Sequence, residues 1–172
     1  MTTQHLRVAT HTFQWYLCCM GTALQERIKQ TTFTSVYQEA FLNLIVVADH
    51  LRRNLTRSCE VHGITAAQYN VLRILRGVYP NGHPRCEIIE RMIEEAPDVT
   101  RLIDRLVRSG HARRTKSKDD GRLSLTFITK KGLDLLDSMQ KDVDRADAEF
   151  RARLKESEAK TLSTLCERIY AP

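Results

Sequence analysis

Lysine and arginine side chains are concentrated between positions 105 and 122. Seven bases lie there against two acids, Asp119 and Asp120; the bases are Arg105, Arg108, Arg113, Arg114, Lys116, Lys118 and Arg122. The whole chain has a formal net charge of +6, whereas eight acids outnumber six bases between positions 134 and 160. A local basic surface suits phosphate groups, because each neutralised phosphate releases condensed counterions. Nucleic-acid binding therefore explains the charge pattern better than a merely solvated basic face does.

The basic stretch begins on a predicted helix. Apolar residues recur at three- and four-residue steps from Val99 to Val107, which lines one face and leaves the other to polar side chains. Pro97 suits the first turn and Gly110 the residue after the last. Asp98 at the helix start either caps backbone N–H groups or accepts a hydrogen bond from a cytosine amino group, and we favour the cap.

A hairpin is predicted after Gly110. Residues 112–118 form its basic strand, the turn formers Asp119, Asp120 and Gly121 close it, and residues 123–128 alternate as its second strand. Leu123, Leu125 and Phe127, or their neighbours, share one side.

A second helix is predicted before the basic one. Residues 84–94 form a short amphipathic helix, so that only Glu95 and Ala96 precede Pro97, and two helices joined so closely make a helix-turn-helix. Upstream, Thr65 and Gln68 form a capping box that opens a helix over residues 65–76. Residues 80–84 are predicted to be a loop.

With these elements in this order, the chain resembles the MarR family of bacterial winged-helix transcription regulators. The resemblance covers roughly residues 34 to 140 and is carried by Gly63-Ile64-Thr65, by VTRLIDRLVRSG and by the wing DDGRLSLTFITKKG. It implies an obligate homodimer with a helical dimer domain made by both termini, and two DNA-binding lobes on a palindromic operator. It also implies that Arg122 reaches into the minor groove while Asp120 steadies it.

The chain departs from the family where the recognition helix begins. The family commonly has Ser, Arg and Ser or Thr, whereas Glu95, Ala96, Pro97 and Asp98 stand here, so base-contacting roles are not carried over to positions 95–97. Arg105 is expected either to contact DNA or to pair with a neighbouring acid. The predicted DNA-contacting residues are Asp98, Thr100, Arg101, Arg105, Arg113, Arg114, Lys116, Lys118, Asp120 and Arg122.

The predicted fold is mainly α with a minor α+β part, a winged helix-turn-helix with long N- and C-terminal helices forming a dimer domain. Broad apolar faces on those helices need partners. Residues 1–33 are a leader and approach to the first helix, with 1–19 a candidate overextended reading frame because Met20-Gly21 resembles a natural start. Residues 34–62 are a dimerisation helix, 63–129 the DNA-binding lobe and 130–172 C-terminal dimerisation helices. The last segment is predicted as one long helix after Thr129 that extends to Leu154, followed by a final helix opened by Ser157.

Several function classes find no support in the sequence. It has no Gly-rich phosphate loop, nucleophile elbow or His-x-x-x-His pattern, so neither an enzyme nor a cofactor is expected. No apolar run approaches the ~20 residues of a membrane span, and residues 13–20 lack the flanks of a signal peptide. We therefore expect a cytoplasmic protein.

Cysteine and histidine residues raise two further possibilities. The five cysteines lack metal-ligand spacing, so no metal site is expected. Some relatives in the resembled family sense peroxides through cysteine, which makes Cys59 a redox candidate, although a small buried residue is the favoured reading. His50 and His62 are candidates for the family's cleft for small aromatic or phenolic effectors, but a structural role is favoured for each.

The sequence thus predicts a dimeric, ligand-responsive repressor whose partners are double-stranded DNA, a second copy and a small aromatic or phenolic effector. Alternatives are a cysteine-based redox repressor, a nonspecific architectural DNA binder and a winged-helix scaffold for protein contacts. The acids Glu94, Glu95 and Asp98 lend the scaffold some weight. Salt dependence and sequence preference of DNA binding distinguish these functions.

Overall fold

The computed structural model describes residues 22–96, 98–116 and 123–171, which are mostly helical with a small antiparallel sheet. This confirms the predicted fold class. The helices are α1 Thr22–Ile28, α2 Val36–Val61, α3 Ala66–Arg76, α4 Arg85–Glu90, α5 Val99–Arg108, α6 Lys130–Ser138, α7 Gln140–Arg153 and α8 Glu156–Tyr170. The strands are β1 His83–Pro84, β2 Ala112–Lys116 and β3 Ser124–Ile128.

The chain forms two compact units, one up to Arg53 and one from Asn54 onward. In the first unit, Asp49 lies 3.8 Å from Arg27 of α1 and 3.0 Å from Arg53, one turn further along α2. Tyr37 and Phe41 of α2 are exposed. Helix α2 itself, Val36–Val61, confirms the long helix predicted in this region.

The second unit is built on α3, which begins as its sequence predicts. Thr65 Oγ1 accepts a hydrogen bond from the Gln68 backbone N–H at 3.2 Å, and Gln68 Oε1 accepts one from the Thr65 N–H at 2.9 Å. This capping box satisfies two N–H groups that a helix start otherwise leaves open. The buried core around α3 consists of Cys59, Ile64, Tyr69, Val71, Leu72, Leu75, Ile88, Val99, Ile103, Leu106, Ala112, Ile128, Leu136 and Met139.

The sheet has the order β1-β3-β2, with every pairing antiparallel. Thr126 and Ile128 of β3 are buried, whereas Leu125 and Phe127 are half-buried on the other face. Strand β1 lies in the segment predicted to be a loop, because two residues are too short to show an alternating pattern. Gly82 precedes it, and a Cβ there would lie only 2.7 Å from the Thr126 carbonyl oxygen.

The predicted ends of two helices are wrong. Helix α4 ends at Glu90 rather than 94, because the Ile93 N–H bonds to Asn70 Oδ1 of α3 at 2.9 Å. The single long helix predicted from residue 130 is divided into α6 and α7 at Met139, whose side chain is buried in the core while α7 buries none of its own. Contacts distant in sequence decide both boundaries.

Among the helices of the described residues, none has the length and apolarity that crossing a membrane requires.

Candidate nucleic-acid interface

Helix α5 presents one apolar and one charged face. Val99, Ile103 and Leu106 are buried in the core, as their spacing predicts, while Arg101 and Arg105 are exposed. The packed face fixes the orientation of the helix. The charged face is therefore held at the surface, available to a partner.

Asp98 caps the start of α5. Its Oδ1 accepts a hydrogen bond from the Arg101 backbone N–H at 3.0 Å, and its Oδ2 lies 2.9 Å from Arg101 Nε. The predicted capping role is confirmed, and the helix begins after Asp98 rather than at Pro97, a residue outside those described. The Asp98 carboxylate therefore contacts Arg101 twice, once at its backbone N–H and once at its side chain.

Arg85 joins α4 to the start of α5. Its Nη1 donates a hydrogen bond to Thr100 Oγ1 at 3.0 Å. Arg85 was not among the sequence candidates, since it lies fifteen positions before Thr100 and outside the basic stretch. The sequence feature that could have identified Arg85 is its positive charge at the start of the first helix of the predicted helix-turn-helix.

The arginines of β2 have partners within the lobe. Arg114 Nη2 lies 3.0 Å from Asp104 Oδ1 of α5. The Arg113 guanidinium lies 4.1 Å from the centroid of the Phe127 ring and donates a hydrogen bond to Thr115 Oγ1 at 3.1 Å. These contacts hold the Arg114 side chain against the helix and the Arg113 side chain against the neighbouring strand.

Arg105 and Lys116 differ from these arginines. Both side chains are exposed, and within the described part of the chain neither belongs to an ion pair. The sequence left open whether Arg105 contacts DNA or pairs with a neighbouring acid. Within the described residues no such ion pair is formed, because Asp98 pairs with Arg101 and Asp104 with Arg114. Arg105 and Lys116 thus present charge that no acid of the described residues neutralises.

Lys118, Asp120 and Arg122 of the predicted wing tip lie outside the described residues.

The base of the predicted hairpin is held by contacts between the end of α5 and the start of α6. Gly110 follows α5 with a φ of +78°, Thr129 Oγ1 donates to the Gly110 carbonyl at 2.7 Å, and Lys131 Nζ donates to the Ser109 carbonyl at 2.9 Å. Burial and the charge of Lys131 lower the pKa of His111, which favours the uncharged ring at this junction. These contacts tie the end of the charged helix to the start of α6.

The effector candidates His50 and His62 lie in different surroundings. His50 is exposed on α2. His62 Nε2 lies 3.4 Å from Asp142 Oδ2 and its Nδ1 lies 3.4 Å from Ser138 Oγ. These contacts favour the structural role for His62.

Cys59 fits the buried reading rather than redox sensing. Its side chain is fully buried in the core, and burial together with the charge of Glu60 raises the thiol pKa to about 11. Reactive cysteines are exposed and have a lowered pKa. Cys59 is buried and its pKa is raised, so it has neither property. Within the described residues, no group of three or more His, Cys, Asp or Glu side chains is arranged to hold a metal ion.

The sequence matches no protein-family model and no curated protein. A MarR transcription factor from Planctomyces limnophilus, known from its crystal structure, shares 34% sequence identity with the chain over 79% of this chain and 98% of that one, with a TM-score of 0.61. The chain belongs to the MarR family of transcription regulators.

Two more distant structures share the MarR fold. CouR from Rhodococcus jostii RHA1, solved bound to p-coumaroyl-CoA, is 18% identical over 81% of this chain and 97% of its own, with a TM-score of 0.69. MepR from S. aureus, solved as a DNA complex, is 19% identical over 80% and 97%, with a TM-score of 0.68. At these sequence identities, the likeness to CouR and MepR shows only that the chain has the same fold.

Proposed function

We propose that the protein is a sequence-specific repressor that binds a pseudo-palindromic operator as a homodimer and releases it when a small effector binds. The observation that carries this proposal is the exposed charge of Arg105 on α5 and Lys116 on β2, which no acid of the described residues pairs with. A recognition helix and a wing strand carry these two charges, and in a winged helix such elements meet the DNA. The MepR–DNA complex supports the same use of the fold.

The proposed contacts divide by chemistry. Helix α5 enters the major groove, where Thr100, Arg101 and Arg105 reach base edges or phosphates while Asp98 caps the helix. Phosphate contacts fix the register of a protein on DNA without reading sequence. We assign them to Arg113, Arg114, Lys116 and Lys118, and we assign the minor groove to Arg122 with Asp120 beside it.

Exposed apolar side chains support the homodimer. Tyr37 and Phe41 of α2 are 81% and 61% exposed, and Leu165 and Ile169 of α8 are 47% and 69% exposed. Large apolar side chains that repeat along one helix mark an interaction surface. We propose that a second copy of the chain covers these side chains, because two-fold dimers are the commonest homo-oligomers.

The effector class rests on the fold neighbour CouR. That protein was solved with p-coumaroyl-CoA, whose acyl group carries a phenol. We propose a small aromatic or phenolic effector for this chain as well, with the cytoplasm as the site of action.

Fluorescence anisotropy tests the proposed function. The purified protein is titrated onto the duplex upstream of its own gene and onto a scrambled duplex of equal composition, at several salt concentrations. We expect tight binding to the native duplex alone, with two chains per duplex by light scattering. Equal, salt-sensitive binding to both duplexes would instead indicate an architectural DNA binder, and no binding at low salt would indicate a protein scaffold.

A further inference from the structure

Asp98 and Arg101 form a doubly connected pair on the exposed face of α5. One carboxylate oxygen is fixed by the Arg101 backbone N–H at 3.0 Å, and the other lies 2.9 Å from Nε of the same residue. Because the cap holds the carboxylate in place, it gives the arginine a stationary counter-charge. The Arg101 side chain is nevertheless 80% exposed.

The closest contact with Asp98 is made by Nε, at the inner part of the guanidinium. The opposite edge, with Nη1 and Nη2, is the one that this contact does not use. Two parallel N–H donors on a planar edge match the O6 and N7 acceptors of guanine in the major groove, which is the commonest specific contact between a side chain and a base.

The same carboxylate makes Arg101 a poor phosphate ligand. Asp98 offsets part of the arginine charge and repels an approaching phosphate oxygen, whereas the acceptor edge of guanine has no net charge to repel. Phosphate contact is better suited to Arg105, which has no acid paired with it in the described residues.

We infer that Arg101 reads a guanine of the operator through its Nη1–Nη2 edge, and that Asp98 is the positioning residue that holds Arg101 for this contact. The inference deepens the proposed function and rests on it.

The test begins with duplexes that the full-length protein selects from a randomised pool. In the best duplex, each guanine is replaced in turn by 7-deazaguanine, which lacks the N7 acceptor but keeps Watson–Crick pairing. At one guanine in each half-site we expect the replacement to weaken binding by the wild-type protein by about tenfold, within the range of one bidentate contact.

Three variants assign this penalty. Asp98→Asn keeps a residue that caps helices as well as aspartate does, but it removes the charge beside Nε. Arg101→Lys keeps the positive charge but removes the planar pair of donors. Asp104→Asn is the matched control, because it removes an α5 carboxylate that pairs with Arg114 instead. We expect the 7-deazaguanine penalty to fall below about threefold in the first two variants and to stay about tenfold in the control.

The possible failures are distinct. If Asp98→Asn and Arg101→Lys keep the full penalty, or if no selected guanine is sensitive, the inference is overturned while the operator-binding function stands. If Arg101→Lys binds like the wild type and Arg101→Ala lowers the salt slope by about one, Arg101 is a phosphate contact and the inference is likewise overturned. If no duplex is enriched, the proposed function fails together with it.

Discussion

Arg114 of β2 is paired with Asp104 of α5, with 3.0 Å between Nη2 and Oδ1. Lys116 lies two positions further along the same strand and therefore on the same face, but it has no acid partner within the described residues. The two bases thus differ chiefly in whether their charge is already offset. Both bases are proposed phosphate contacts, but only Arg114 must share its charge with an acid of α5.

Replacing these bases should have unequal effects on the salt dependence of DNA binding. We expect Lys116→Ala to reduce the slope of log K against log salt by about one, since one phosphate contact is lost. Arg114→Ala should reduce the slope by clearly less, because Asp104 offsets its charge in the free protein. Anisotropy titrations at four or more salt concentrations measure both slopes.

The Asp104→Asn background provides the control for this comparison. Without the carboxylate, Arg114 is free to contact a phosphate, so Arg114→Ala in that background should reduce the slope by about one. Equal slopes for Arg114→Ala in both backgrounds would show that the ion pair does not limit the contribution of Arg114.

Asn70 should influence DNA binding from outside the interface. Its Oδ1 accepts the Ile93 N–H at 2.9 Å and so fixes the connection between α4 and α5. We expect Asn70→Ala to cost about 0.5–1.5 kcal/mol of unfolding free energy and to weaken operator binding severalfold, because the start of α5 is less well positioned. Urea unfolding and anisotropy measure the two effects.

Asn70→Asp keeps an acceptor oxygen and should preserve most of the stability. Its added charge lowers DNA affinity mainly at low salt, so the comparison is made at high salt, where such effects are screened. Full operator affinity of Asn70→Ala at high salt would show that the connection does not depend on this hydrogen bond.

The sequence predicts the parts of this lobe that depend on neighbours in the chain. The buried face of α5 follows from the spacing of Val99, Ile103 and Leu106, and the caps at Thr65 and Asp98 follow from side chains that reach only three residues ahead. Period and capping are local properties, which is why they are visible without a structure.

Contacts between distant residues were not predictable in this way. The pairs Arg85–Thr100 and Asp104–Arg114 join separate elements, and the hydrogen bond that fixes Ile93 comes from Asn70, twenty-three positions earlier. Charge counting alone therefore treated the basic side chains as equivalent. The structure separates Arg105 and Lys116 from the arginines that have partners within the lobe.

The capping box at Thr65 should contribute measurably to stability. Thr65→Ala removes the acceptor for the Gln68 N–H and should lower the free energy of unfolding by about 1 kcal/mol. Thr65→Ser retains the hydroxyl and should lose much less. Urea unfolding followed by circular dichroism measures both, and equal stability of the alanine variant and the wild type would contradict the assignment.

The buried thiol of Cys59 makes the stability depend on pH. Its pKa is raised to about 11 in the folded protein from an ordinary value of 9.0. The folded state therefore retains a proton that the unfolded chain releases between these values, and the free energy of unfolding falls as pH rises through this window. Below pH 9 the contribution of the thiol is fully present.

Cys59→Ala should remove this part of the pH dependence. Lysines and tyrosines titrate in the same window and remain in both proteins, so the difference between variant and wild type isolates the thiol. We expect the stability deficit of Cys59→Ala to be constant from pH 7 to about 8.5 and to shrink toward pH 10.5, measured by urea unfolding with a reductant present. A deficit that stays constant or grows over that range would show that the folded protein does not hold the Cys59 proton more tightly than the unfolded chain.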